Sequence, residues 1–242
     1  MQSLTGQHAL VSGGGTGIGL ACAWALTRAG ARVTILGRRE APLAAALSTG
    51  AAAAMIMADA ARPPALPAFA ILINAAGAAA SAPFLRTEDD DFRQALEANL
   101  MSAVALTRAV LPAMLAARAG RIVNIASTAA LKGYAYVAPY VAAKHALLGF
   151  TRALALEIAA KGLTVNAICP GFTETPLLAG SIERITALTG RDQGAARADL
   201  AQHNPQGRLL QPDEIAALAV FLCTDAARGI HGAALPVSGG EV

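Results

Sequence analysis

Short, nearly continuous apolar runs recur along the chain at residues 9–11, 32–36, 55–57, 70–73, 121–125, 164–168 and 234–237. Runs of this kind suit strands buried on both faces. Between them lie longer segments with helical signals. Residues 18–29 form one and stop at Gly30; an alanine-rich one follows Ala41. A long helix is expected to start at Thr87-Glu88-Asp89-Asp90, a capping-type sequence, and to reach about Arg118. Another spans about 139–161, and Pro212-Asp213-Glu214 opens the last. Strands separated by helices predict an α/β fold, a doubly wound Rossmann-type parallel sheet with helices on both faces. Ligands of such a sheet bind outside the carboxyl ends of its strands. Arg62-Pro63-Pro64-Ala65-Leu66-Pro67 leaves little room for a full helix before the fourth strand.

Composition narrows the class. The chain has 242 residues, 55% hydrophobic and 14% charged, enough for one core, and a single domain over 1–242 is expected because no linker interrupts it. A net charge of +3 is spread over scattered arginines with no basic run among aromatics, which argues against a nucleic-acid partner. Cys22, Cys169 and Cys223 sit apart among apolar neighbours, as buried free thiols would. They have no metal-ligand spacing, the four histidines form no ligand pair, and no metal is expected. Met1 to Gly6 lacks a basic start and an apolar signal core, and no segment is expected to span a membrane, so a cytoplasmic protein is predicted.

Two constellations carry chemistry. Ser12-Gly13-Gly14-Gly15-Thr16-Gly17-Ile18-Gly19 follows a strand and opens a helix. There, backbone N–H groups and the helix dipole can face a pyrophosphate; elsewhere the same glycines would be an ordinary loop. Tyr140 and Lys144 are spaced i, i+4, which puts phenol and ammonium on one helix face. A cation beside a phenol favours its ionised form, and Ser127, 13 residues upstream, could hydrogen-bond the same substrate oxygen. Singly, Ser127 could be a strand-end cap and Asn99 a locally satisfied helix residue.

These motifs, with Asp59, Asn74-Ala75-Ala76-Gly77, Asn99 and Pro170-Gly171, fall in an order that resembles the short-chain dehydrogenase/reductase (SDR) family from about Gln7 to Gly240. Residues 122–128 and 138–145 look like 3-oxoacyl-thioester reductases, and residues 165–176 like the ketoreductases of aromatic polyketide synthesis. The resemblance implies a catalytic set of Asn99, Ser127, Tyr140 and Lys144. Tyr140 would exchange the proton, Ser127 hold the carbonyl oxygen, Lys144 lower the phenol's pKa and hold the nicotinamide ribose, and Asn99 anchor a proton-relay water. Cofactor contacts would come from Ser12, Gly13, Gly15, Thr16, Gly17, Ile18, Gly19, Asp59, Ala60, Asn74, Ala75 and Gly77. Pro170, Gly171, Thr173 and Thr175 would join Tyr140 and Lys144 around the nicotinamide. Ser127, Tyr140, Phe172 and Leu177 would face the substrate; Tyr134 and Tyr136 would be substrate-pocket walls or merely packing, and His145, turned about 100° from Lys144, is read as structural.

Gly37-Arg38-Arg39 offers an arginine fork and no carboxylate until Glu40, so NADP(H) is favoured over NAD(H). Ala75 and Ser238 depart from the family's usual Asn and Asp. Residues 177–205 would form a lid carrying Arg184, Arg191 and Arg197 among apolar Leu177, Leu178, Ile182, Ile185 and Leu188. Those arginines could meet the phosphates of coenzyme A or a carrier protein's phosphopantetheine, or simply form a solvated face. Three readings stay open: a reductase or dehydrogenase of 3-oxoacyl/3-hydroxyacyl thioesters, an alcohol, polyol or steroid-type dehydrogenase, and a non-catalytic nucleotide-binding protein. A homotetramer is the oligomer that the resemblance implies.

Overall fold

The computed structural model describes residues 3–242; Met1, Gln2 and the side chain of Leu188 lie outside the described residues. Its centre is a seven-stranded, wholly parallel sheet in the order β3-β2-β1-β4-β5-β6-β7. The strands are β1 (His8–Ser12), β2 (Arg32–Gly37), β3 (Ala54–Met57), β4 (Ile71–Asn74), β5 (Gly120–Ile125), β6 (Leu163–Pro170) and β7 (Ala234–Val237). Each expected strand is present within a few residues. Within β1, Ala9 and Val11 belong to one core and Leu10 to the other, which is why the strand has no polar face.

The first core packs helices α1 (Gly17–Arg28) and α8 (Pro212–Leu222) onto the sheet, with α2 (Glu40–Ser48) at its edge. The second lies under α4 (Ser102–Ala117) and α5 (Ala138–Ile158), and α3 (Asp89–Leu96) packs on α5. The prolines between Arg62 and Pro67 have the expected effect: no helix joins β3 to β4 among the described residues. The chain order reverses between β1 and β4, so the carboxyl ends of these two strands flank a crevice.

Three details differ from expectation. The long helix starts one residue late, with Glu88 as N-cap and Asp91 completing the capping box. Thr87 instead donates its hydroxyl to the Pro83 carbonyl, 3.2 Å away, after a 3₁₀ turn over Phe84–Arg86. The helix is also interrupted by a π turn at Glu97–Met101. The whole run Asp89–Ala117 is long and apolar enough to cross a membrane by length and composition, contrary to the expectation from the sequence. In the fold its inner face packs on the sheet and on α5.

Candidate active site

At the carboxyl ends of the central strands lies an open cleft of about 1230 Å³. One wall is the glycine turn. Gly13 has φ +65° and a Cβ there would stand 2.9 Å from the Ala75 carbonyl oxygen, so a side chain is excluded both by conformation and by space. Thr16 is the N-cap of α1 and makes no side-chain capping bond. The first N–H groups of the helix therefore remain available to an anion. At the end of β2, Arg38 and Arg39 line the cleft; among the described residues neither has a hydrogen-bond or ion-pair partner. This cradle fits a dinucleotide, and the unpaired guanidinium groups fit a 2′-phosphate.

The structure brings Gly13, Gly15, Thr16, Gly17, Ile18, Gly19, Asp59, Ala60, Ala75, Gly77, Pro170, Gly171, Thr173 and Thr175 to this cleft. Asp59 also caps its own turn, accepting from the Ala61 N–H at 3.0 Å. Ser12 and Asn74 are corrections. Both are buried behind the cleft wall, adjacent in register at the strand ends. The Ser12 hydroxyl accepts from the Ala75 and Ala76 N–H groups, each at 3.1 Å, and shapes the loop after β4. Asn74 donates to Asn124 Oδ1 at 2.8 Å, and Asn124 donates to Thr151 on α5 at 2.8 Å. This buried chain ties β4 and β5 to the helix bearing Tyr140. Asn74→Ala should cost about 1–3 kcal/mol of stability, because it strands a buried acceptor. Chemical denaturation would show that loss while calorimetry finds NADPH affinity unchanged.

Asn99, Ser127, Tyr140 and Lys144 converge on the same cleft. Ser127 follows β5 and caps the 3₁₀ turn Thr128–Ala130, accepting from the Ala129 N–H at 3.1 Å. Capping uses its oxygen as an acceptor, which leaves the hydroxyl proton to be donated elsewhere. Lys144 is buried, its Nζ 5.6 Å from the Tyr140 ring centroid and donating to the Ile125 carbonyl at 2.9 Å. Burial pulls its pKa down to about 8. Burial pushes the Tyr140 phenol above its usual value, and the Ser127 hydroxyl opposes the shift. In the protein alone, then, desolvation is the largest influence on both groups.

The π turn explains Asn99. Its wider winding leaves helix carbonyls without their ordinary partners, and the Asn99 amide donates to Ala95 O and, across the cleft wall, to Ala78 O, both at 2.9 Å. Asn99 Oδ1 is buried, makes no hydrogen bond within the protein, and adjoins Gly77 near Lys144 Nζ.

Tyr134, Tyr136, Phe172 and Leu177 also line the cleft. Tyr136 is 66% exposed at the mouth, with φ +68°, and its carbonyl accepts from the Ala82 N–H at 2.8 Å. The Tyr134 hydroxyl lies 2.6 Å from Thr128 Oγ1 and donates to Glu241 at 2.5 Å; burial and that carboxylate push its pKa well up. His145 is exposed, its ring against the Val141 carbonyl. Sequence reasoning missed Thr128 and His203 in the cleft and Glu241 behind it. No local pattern marks them, since they meet only through the fold.

The lid is two helices, α6 (Pro176–Thr189) and α7 (Gln193–Ala201), closed over a small cluster of Leu178, Ile182, Ala196 and Leu209. None of its three arginines is free. Arg184 donates to the Ala79 carbonyl at 2.9 Å, Arg191 pairs with Asp199 at 2.6 Å, and Arg197 forks onto Glu174. They brace the lid, and the idea that they await a coenzyme A phosphate loses its support.

Residues 13–241 match the family model described as enoyl-(acyl carrier protein) reductase. The chain is 37% identical over 255 residues to D-beta-hydroxybutyrate dehydrogenase of Cupriavidus necator, covering 99% of both chains. It is 36% identical over 253 residues to the 3-oxoacyl-(acyl-carrier-protein) reductase FabG of Pseudomonas aeruginosa, covering 98% of both. Among solved structures, a point variant of actinorhodin polyketide ketoreductase with NADPH superposes with a TM-score of 0.92 at 34% identity, covering 100% of this chain and 99% of that one.

Proposed function

Because this chain belongs to the short-chain dehydrogenase/reductase family, we propose its reaction from the chemistry of the cleft. It is an NADP(H)-dependent oxidoreductase that interconverts a carbonyl and a secondary alcohol, acting on a 3-oxoacyl or 3-hydroxyacyl thioester. The observation that carries this reading is the convergence of the Ser127 and Tyr140 hydroxyls beside Lys144, in a cleft that also holds the glycine turn and an unpaired arginine pair. Two hydroxyl donors suit an oxygen on the carbon that receives hydride, which favours a ketone over the alkene of an enoyl thioester.

NADPH, when bound, supplies the hydride. Ser127 donates a hydrogen bond to the carbonyl oxygen and stabilises the charge that grows there. Tyr140 passes its proton to that oxygen as the carbon–hydrogen bond forms, and the alcohol leaves neutral. Lys144, held by the Ile125 carbonyl, keeps a positive charge beside the phenol; it steadies the phenolate that remains. Asn99 Oδ1 is the acceptor from which a water could return the proton through Lys144.

The test measures NADPH oxidation with acetoacetyl-CoA, crotonyl-CoA and a small ketone. Turnover of acetoacetyl-CoA with at least about tenfold higher kcat/KM than the ketone is the expected result, a gap of about 1.4 kcal/mol in transition-state binding. Preference for crotonyl-CoA would replace it with enoyl reduction, and preference for the bare ketone would favour the alcohol-dehydrogenase reading. The polyketide ketoreductase and FabG similarities support the thioester. The three buried free cysteines suit the cytoplasm, and the exposed outer side of the 89–117 helix beside α5 suits a homotetramer.

A further inference from the structure

The segment after β7 turns through Gly239 and Gly240, both with positive φ, and buries the Glu241 side chain to 2% exposure. Its Oε1 accepts from the Tyr134 hydroxyl at 2.5 Å, pairs with Lys132 Nζ at 3.0 Å, and lies 3.8 Å from His203 Nδ1. None of the reaction steps above uses it. A carboxylate can only accept, so Tyr134 spends its one proton on Glu241. Thr128 must then donate to Tyr134. The direction of the chain from Thr128 to Tyr134 to Glu241 is thereby fixed, starting one residue after Ser127.

The Tyr134 ring is also one of three that form a wall of the cleft. It meets Phe172 edge-on, with centroids 5.7 Å apart at 85°, and His203 at 5.8 Å; Phe172 and His203 are 5.1 Å apart. These rings come from three separate stretches of chain: the loop before α5, the turn after β6 and the end of the lid. Lys132 stacks over the Tyr134 ring at 5.1 Å from the outside. Glu241 therefore lies between the 132–134 loop, which it holds through Tyr134 and Lys132, and His203 at the lid end.

We propose that Glu241 is a positioning residue for substrate. It holds the Tyr134–Phe172–His203 wall at the distance from Ser127 and Tyr140 that suits the organic group beyond the reacting carbonyl. The inference rests on the carbonyl-reducing reading of the same cleft but does not need the substrate to be a thioester. The wall is built of three aromatic rings, so the group it receives is flat or cyclic.

Steady-state kinetics with a cyclic ketone that reaches the wall and a short linear ketone that does not provide the first arm. Glu241→Ala should raise KM for the cyclic ketone about tenfold, the scale of losing a charged hydrogen bond, with a much smaller change for the linear one. Glu241→Gln, whose amide oxygen can still accept from Tyr134, should recover part of that KM, and Tyr134→Phe combined with Glu241→Ala should add nothing. Hydrogen–deuterium exchange is the second arm and needs no turnover. In Glu241→Ala, exchange should rise both around 132–137 and around 200–206, the two segments that meet at this cluster, and stay unchanged in the central strands. Equal KM changes on both ketones, or no exchange change at the two segments, would overturn the proposal. If the wild type reduced neither ketone nor thioester, the reductase reading would fall, while the exchange comparison would still decide whether Glu241 sets the wall.

Discussion

With Phe in place of Tyr140, carbonyl reduction falls by about 10²–10⁴-fold, the range for losing a positioned general acid. The affinity for NADPH stays within a few-fold. The substitution removes one oxygen and keeps the ring, including its contact with the Lys144 ammonium at 5.6 Å, so packing and charge near the nicotinamide site persist. Ser127 can still hold the carbonyl oxygen, but no proton stands ready for it. Stopped-flow absorbance gives the rate and fluorescence titration gives the affinity. Unchanged turnover would remove Tyr140 from the mechanism, and parallel loss of binding and turnover would mean that the variant is misfolded.

Replacing Arg38 and Arg39 together with Ala weakens NADPH binding by about 10²-fold, since two charge-assisted hydrogen bonds are lost. NADH binding barely changes, because its ribose carries a hydroxyl where the phosphate would be. Both guanidinium groups stand at the end of β2 with no partner among the described residues, so removing them breaks nothing in the fold. Each single variant then divides the effect between the two positions. The measurement is the ratio of NADPH to NADH dissociation constants; equal weakening of both would mean that the arginines act only as diffuse positive charge.

Strand and helix positions are legible because strands buried on both faces leave continuous apolar runs and helices leave start and stop signals in the order of residues. The glycine turn and the Tyr140–Lys144 pair are legible for a related reason: each is a local spacing that one element must satisfy. Ser12 and Asn74 show where this ends. Their types and places suit the cofactor, yet their polar groups are consumed in bracing the strand ends. The lid arginines mislead likewise, since Asp199, Glu174 and the Ala79 carbonyl are partners that only folding supplies. Glu241 is silent for the opposite reason. The residues just before it are glycines and a serine, and its meaning comes from Tyr134, 107 residues away in the chain.

The π turn at Glu97–Met101 makes chain length itself a constrained quantity of this helix. One residue more or fewer on a regular helix turns everything beyond it by about 100°. A deletion inside the turn would let 89–117 relax into an unbroken α-helix, a gain in backbone regularity. It would also swing Asn99 off Ala78 and away from Lys144. Improvement of the scaffold and preservation of the chemistry therefore pull in opposite directions at this point. A variant library that permits insertions and deletions there would expose that conflict, whereas one limited to substitutions would pass over it.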